Sequence, residues 1–312
     1  MIVIEDKMQN IKIDEDLCIA LGTFDGIHIG HQKLIKEAVS SAKSKKIKSA
    51  VFTFNKHPFN VLKPEHNIKI ITDNKTKVQI FKSLGVDYVF FIDFNAEFAN
   101  IMPIDFIECL HKQFNVKSIV CGYNFTFGRF GTGDVDFLRK YQNIYHYDLK
   151  VIEKVTLNNI SISSSKIRKK IEEGKIEEAN QMLGYNLFFY GSVIEGKHLG
   201  NKLGFPTANL DIPLNLCLRN GVYITQTYIN EKKYPSISNI GFAPTLDCKE
   251  RILETHILNV NENLYDSYVK IEFLKFIRDE VKFNNIEELK KRVYNDIYTA
   301  KRYFELDNFC LH

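Results

Sequence analysis

Gly22-Thr-Phe-Asp-Gly-Ile-His-Ile-Gly-His31 starts inside an apolar run, Leu17–Phe24, and leads into an amphipathic run, Gln32–Lys45. The first run reads as a strand. The second reads as a helix with Leu34, Ile35, Ala38, Val39 and Ala42 on one face. A strand that passes through a glycine-containing turn into a helix N-terminus offers backbone amides and the positive end of the helix dipole, which together make an anion site. Gly22, Gly26 and Gly30 let a ligand approach the backbone closely. His28 and His31 can hydrogen-bond phosphate oxygens and stabilise charge that develops in a transition state. A His-x-x-His zinc site is the weaker reading, because no Cys or carboxylate stands at a suitable spacing.

Outward from this turn, short apolar runs alternate with amphipathic ones. Ser49–Phe54 reads as a strand, Lys75–Leu84 as a helix, Val86–Ile92 as a strand, Ile104–Phe114 as a helix, and Ser118–Cys121 and Val151–Val155 as strands. The alternation predicts an α/β domain, a parallel sheet with helices on both faces. Ser165–Leu183 reads as a helical link broken at Gly174. After Gly184 the pattern changes to successive strands: Phe188–Ile194, Gly221–Ile229, Pro235–Ile240, Glu254–Leu258 and Tyr268–Phe276. That predicts an antiparallel barrel or sandwich. A closing helix follows, with Ile286, Leu289, Val293 and Ile297 as its apolar stripe and Asn284 or Asn285 as its cap. The expected domains are therefore 1–184 and 185–312, with the boundary inside Gly184–Leu187.

The 312 residues are 45% hydrophobic and 26% charged, ordinary values for a globular chain of one large or two smaller domains. Forty-two basic against 38 acidic residues leave a net charge of +4, too balanced for a nucleic-acid protein. Lys43–Lys48 and Lys166–Lys170 read as solvated helix faces. Cys18, Cys109, Cys121, Cys217, Cys248 and Cys310 form no Cys-x-x-Cys pair, which argues against a zinc or redox site and fits a reducing compartment. Met1–Asn10 does not read as a secretion signal, and no stretch approaches the ~18 apolar residues of a membrane span. The expected setting is cytoplasmic, with small-molecule partners and no nucleic acid or membrane; self-association is not readable.

A second glycine-containing region, Gly191-Ser-Val-Ile-Glu-Gly196, runs through Lys197, His198 and Lys202 to Leu203-Gly-Phe-Pro-Thr-Ala-Asn-Leu210. It lacks the Gly-Lys-Ser/Thr of a Walker A loop. On its residues alone it is a weak phosphate-loop candidate.

The Gly22–His31 run resembles the nucleotidyltransferase loop of bacterial bifunctional riboflavin kinase/FAD synthetases. Further segments match that family in order: Thr53-Phe-Asn-Lys-His-Pro58, Gly122-Tyr-Asn-Phe-Thr-Phe-Gly128 with Arg129 and Gly131, and Ile162-Ser-Ser-Ser-Lys-Ile-Arg168, in which Ser165 replaces a threonine. Gly204-Phe-Pro-Thr-Ala-Asn209, Asn239–Thr245, Glu254-Thr-His256, and Leu264-Tyr265 followed by Phe273–Phe283 resemble its kinase segments. The resemblance implies a Rossmann-like nucleotidyltransferase domain and a riboflavin kinase barrel. It implies phosphorylation of riboflavin by ATP to FMN, then adenylyl transfer from ATP to FMN, giving FAD and pyrophosphate.

By the same resemblance, His28, His31 and Arg168 are catalytic in adenylyl transfer. Gly22, Phe24, Asp25, Gly30, His57 and Ser164 bind nucleotide there, and Asn124, Phe127 and Arg129 lie along the flavin. In the barrel Glu254 is the general base, Thr207 and Asn209 are Mg²⁺ ligands, and Gly196, Lys202, Phe205 and Arg278 bind substrate. The plain alternative for Phe125 and Phe127 is core packing, and for His57 it is shaping of its turn. The chain departs from the family at Leu199 and Asn201, where arginines are usual, at Asn259 for an aspartate, and at Asp266 for a glycine. The turn alone would suit several adenylyltransferases. Two other readings stay open here: a single-activity adenylyltransferase whose barrel only binds flavin or mediates assembly, and a flavin-binding protein without turnover.

Overall fold

The computed structural model describes residues 1–194, 204–244, 249–260, 264 and 267–307. Its internal contacts divide the chain into two compact units, 1–164 and 165–312.

The first unit is built on a six-stranded sheet formed by β1 (Ile2–Asp6), β2 (Leu17–Leu21), β3 (Lys48–Phe54), β4 (Tyr88–Ile92), β5 (Val116–Gly122) and β6 (Asp148–Ile152). All pairs are parallel, in the order β1-β4-β3-β2-β5-β6. The chain moves outward from β2 through β3 to β4, then returns to place β5 on the other side of β2. This reversal opens a crevice beyond the carboxyl end of β2, the usual ligand position in such sheets. The helices are α1 (Ile29–Lys45), α2 (Pro58–Leu62), α3 (Asn74–Ser83), α4 (Ala96–Ala99), α5 (Pro103–Lys112) and α6 (Val135–Tyr141).

Every residue of β2 is buried. Leu17, Ile19 and Leu21 join one apolar cluster with Phe106, Ile107 and Leu110 of α5 and Leu138 of α6. Cys18 and Ala20 alternate to the opposite face. Both faces are covered, so the strands read as continuous apolar runs. A small hairpin follows the sheet, β7 (Thr156–Leu157) against β8 (Ile160–Ser161), turned by Asn158 and Asn159 at positive φ.

Several limits differ from the sequence reading. β2 ends at Leu21 rather than Phe24, because Phe24 takes φ 49° and leaves the sheet direction. α1 begins at Ile29 rather than Gln32, because His28 caps it. β1 escaped the reading: it is an edge strand with Ile2 and Val3 exposed, so no buried pattern marks it.

The second unit begins with α7 (Ser164–Glu172), which spans the division, and α8 (Ile176–Leu183), ended by Gly184 at φ 78°. By internal contacts, nearly all of α7 and the whole of α8 fall in the second unit. The physical reason is visible at Asn180. Its amide donates to the Phe273 carbonyl at 2.8 Å and its oxygen accepts from the Leu187 amide at 2.9 Å, so α8 is tied to the barrel.

The barrel comprises β9 (Phe188–Ile194), β10 (Ala208–Asp211), β11 (Gly221–Ile229), β12 (Lys232–Pro244), β13 (Lys249–Ile257) and β14 (Tyr268–Arg278). It is antiparallel and closed in the order β10-β13-β12-β11-β14-β9. Among the described residues, β9 and β10 meet through Ile194 with Asn209 and Val193 with Leu210. Buried Leu210, Tyr223, Leu253, Ile271 and Phe273 alternate with a row of buried hydroxyls on Thr227, Ser236, Thr225, Ser238 and Thr255, linked at 2.7–2.9 Å.

On the outer face, Val222, Ile224 and Ile237 pack with Ala300, Ile297, Tyr303 and Phe304 of the closing helix α9 (Ile286–Asp307). Asn285 caps α9 through the Glu288 amide at 2.8 Å. Ile286, expected on the apolar stripe, is exposed. No helix among the described residues is long and apolar enough to cross a membrane.

Candidate active sites

The turn after β2 is held by bonds to its own backbone. The Thr23 carbonyl accepts from Thr53 Oγ1 at 2.9 Å and from Lys77 Nζ at 3.2 Å. The Asp25 carboxylate accepts from the Ile71 and Thr72 amides, and its carbonyl accepts from Ser164 Oγ at 2.8 Å. The Gly26 amide donates to Thr72 Oγ1 at 3.1 Å, and the Ile27 carbonyl accepts from Gln32 Nε2 at 2.9 Å. Phe24, Gly26 and Ile27 all have positive φ, so the turn is a compact reversal, and this network holds it. A Cβ at Gly26 would stand 3.0 Å from Ile71, and one at Gly30 would stand 3.2 Å from the His28 ring.

His28 Nδ1 accepts the His31 amide at 3.3 Å, capping α1. The two imidazoles stack, centroids 3.7 Å apart, and the Phe24 ring meets His31 edge-on. Burial lowers the His28 pKa from 6.5 to about 4, against its own backbone bond and the Asp25 charge. Burial also holds His31 well below 6.5, with His28 and Lys77 adding to the effect. Both rings are therefore neutral at pH 7. The buried Nδ1 of His31 has no hydrogen-bond partner among the described residues.

The other expected residues of this region fall into two groups. Ser164 is bonded to the turn, and Arg168 lies one turn further along α7, half-buried. His57 caps α2 through the Phe59 amide at 3.2 Å, so it shapes its own turn. Asn124 and Arg129 are exposed beyond β5. Phe127 is buried and packs on Phe106, Phe125 and Phe137. Gly128 sits so close to Pro103 that a Cβ would come within 2.7 Å.

In the barrel, strand register brings distant residues together. Asn209 on β10 pairs with Glu254 on β13, and Glu254 pairs with Asn239 on β12. Directly opposed residues share a face. The row Asn209–Glu254–Asn239 therefore lies on the outer face, continuing through Val222 to Arg278. Thr207 precedes this row, and the Pro206 carbonyl is bonded to His256 Nδ1 at 2.8 Å, which ties the turn to β13. Phe205 is buried, edge-on to Tyr294 of α9. Arg278 makes a forked ion pair with buried Asp296 of α9, with bonds of 2.6–3.1 Å. Gly196 and Lys202, with Leu199 and Asn201, lie outside the described residues.

The comparisons with known proteins agree across both units. The FAD synthetase family matches residues 10–166 and the riboflavin kinase family matches residues 183–304. Proteins named bifunctional riboflavin kinase/FMN adenylyltransferase are similar along nearly their whole length. That of Buchnera aphidicola subsp. Schizaphis graminum is 36% identical, covering 95% of this chain and 96% of its own. That of Bacillus subtilis strain 168 is 36% identical, with 92% of each chain covered. The chain belongs to the bifunctional riboflavin kinase/FAD synthetase family. A crystal structure titled macrolide-efflux protein from Streptococcus pneumoniae shares the fold of this family member, with a TM-score of 0.83, 29% identity, and 96% of this chain and 99% of that one covered.

Sequence reasoning quoted Thr53 only as the start of a motif and missed Thr72 and Lys77, which with it hold the glycine turn, and Asp296, which holds Arg278. A signal for Lys77 was present. It falls on the apolar stripe of its helix with Ile80, Phe81 and Leu84, where a lysine is out of place.

Proposed function

We propose that this chain carries out two ATP-dependent steps at separate sites: riboflavin to FMN on the barrel, and FMN to FAD at the turn after β2. The observation that carries the reading is the pinned turn with two neutral, stacked imidazoles at the N-terminus of α1. Amides, helix dipole and imidazole donors converge there on one anion position. The domains that hold the two sites are 1–184 and 185–312, and the setting is cytoplasmic.

In adenylyl transfer an FMN phosphate oxygen bonds to the α-phosphorus of ATP as the bond to pyrophosphate breaks. Such chemistry needs positioning and charge stabilisation more than a covalent nucleophile. His28 and His31, neutral, donate hydrogen bonds to phosphate oxygens, and the nucleotide supplies the partner that His31 Nδ1 lacks among the described residues. Gly22, Phe24, Asp25 and Gly30 shape the nucleotide seat, and His57 shapes the turn beside it. Ser164 and Arg168 hold the leaving pyrophosphate. Asn124, Phe127 and Arg129 border the flavin.

In the kinase step Glu254 accepts the proton of the riboflavin 5′-hydroxyl as its oxygen takes the γ-phosphoryl group and ADP leaves. The Asn209 side-chain oxygen, in register with Glu254, and the Thr207 hydroxyl two residues before it are hard donors. Such a set would suit Mg²⁺, which when bound would neutralise phosphate charge. Gly196, Lys202 and Phe205 bind substrate, and Arg278 supports that surface through α9.

Incubation with riboflavin, ATP and Mg²⁺, followed by separation of the flavins, tests the reading. FMN followed by FAD is expected. The replacement of two arginines by Leu199 and Asn201 favours one second reading, an adenylyltransferase with a silent barrel. It requires that FAD form only from added FMN. No new flavin from either substrate excludes both readings.

A further inference from the structure

Lys77 is 6% exposed and stands in the first turn of α3. Three features make this an unfavourable place for an ammonium group. Burial removes its hydration. The helix N-terminus carries positive potential. The hydrogen-bonding capacity is also underused: of three possible acceptors, the ammonium has one among the described residues, the Thr23 carbonyl at 3.2 Å. Burial accordingly pushes its pKa down from 10.5, with Asp25 and Asp73 opposing.

Thr23 O is the carbonyl just before Phe24, the first residue of the turn at positive φ. Thr53 Oγ1 holds the same oxygen from a second direction at 2.9 Å. Two donors on one oxygen fix the orientation of the Thr23–Phe24 peptide and prevent a rotation that would relax Phe24. The Phe24 ring in turn rests edge-on against His31. A chain of contacts thus runs from Lys77 through the Thr23 carbonyl and Phe24 to the imidazole pair.

We propose that Lys77 is a positioning residue for adenylyl transfer: its buried ammonium grips the Thr23 carbonyl and fixes the turn and the His31 ring against which the nucleotide phosphates rest. This rests on the adenylyl-transfer reading of the turn. Among the described residues, the charged or titratable groups facing His31 are His28 and Lys77, and those facing Lys77 are Asp25, Asp73 and His31 itself.

The test uses the full chain and follows FMN and FAD formation separately. Lys77→Met removes the charge at similar volume. FAD formation from FMN is expected to fall about 100-fold, the cost of a misplacement of ~1 Å, while FMN formation from riboflavin stays within about twofold of the parent. The acidic limb of the FAD pH profile moves to higher pH, because His31 loses a cation that opposes its protonation. Thr53→Val releases the same carbonyl without changing charge. It is expected to lose about tenfold, the worth of one hydrogen bond, with the acidic limb unmoved. Parent-like FAD formation in both variants overturns the proposal, as does a loss in Lys77→Met with no movement of the limb. If Lys77→Met shows no cooperative melt, Thr53→Val decides in the same sense. His31→Ala separates the two layers. If it also leaves FAD formation intact, the reading of the turn fails; if it alone abolishes FAD formation, only the role of Lys77 fails.

Discussion

His28 accepts the backbone amide of His31 at 3.3 Å while its ring lies flat on the His31 ring at 3.7 Å. One side chain is thus both the helix cap and half of the proposed phosphate clamp. Its burial keeps it uncharged, and that has a measurable consequence for stability.

In the folded chain the His28 pKa is about 4, whereas an exposed imidazole titrates near ~6.5. As the pH falls, the unfolded chain takes up this proton first, so stability is retained above about pH 6.5 and lost as the pH drops toward about 4. The full effect is about 3 kcal/mol. His28→Asn keeps a capping oxygen and removes the titration. Urea unfolding across this range is expected to show a steeper acid loss in the parent than in the variant; equal slopes would count against this account.

The kinase and adenylyl-transfer steps are expected to separate by mutation. Glu254→Gln keeps the size and hydrogen bonding of the side chain but cannot take a proton. FMN formation should fall at least about 100-fold, and adenylylation of supplied FMN should stay near the parent rate. Equal loss of both activities would mean that the sites are not independent.

His31→Ala is expected to do the converse. FAD formation from FMN falls by about 100-fold or more, the usual scale for a lost transition-state donor, and FMN formation persists. The same two product assays check it.

Buried Asp296 pairs with Arg278, whose side chain is 12% exposed, so removing the carboxylate leaves that guanidinium uncompensated. Asp296→Ala should cost about 3–5 kcal/mol, read as an early unfolding transition of the barrel unit. Replacing both residues with apolar ones, Arg278→Met with Asp296→Leu, should recover much of the loss. A single variant as stable as the parent would show that the pair does not hold α9.

What could be read from the sequence follows from where the information sits. β2, β3, β4 and β5 are buried on both faces, so each is an apolar run that names itself. The turn from Gly22 to His31 was legible because its glycines, histidines and helix start are neighbours in sequence. β10 was not, since Ala208–Asp211 has only four residues and lies inside a motif read for its chemistry. The row Asn209–Glu254–Asn239 was not legible as a row, because antiparallel register, set by distant turns, aligns residues from three strands. The grip of Lys77 on Thr23 and of Asp296 on Arg278 likewise spans 54 and 18 residues. The turn limits moved for a local reason: Phe24 takes a backbone conformation uncommon for an aromatic residue.

Among the described residues, the seam between β9 and β10 pairs Ile194 with Asn209 and Val193 with Leu210. The joints between β11 and β12 and between β12 and β13 each run along nine residue pairs. β10 itself is only four residues long, so the barrel is a hoop that closes through a short clasp, and one of its residues is the proposed metal ligand Asn209. Breathing of the hoop concentrates at that clasp. Amide hydrogens there should exchange with solvent sooner than those of β11 and β12, and a bound nucleotide that engages Asn209 would slow them by fastening the clasp.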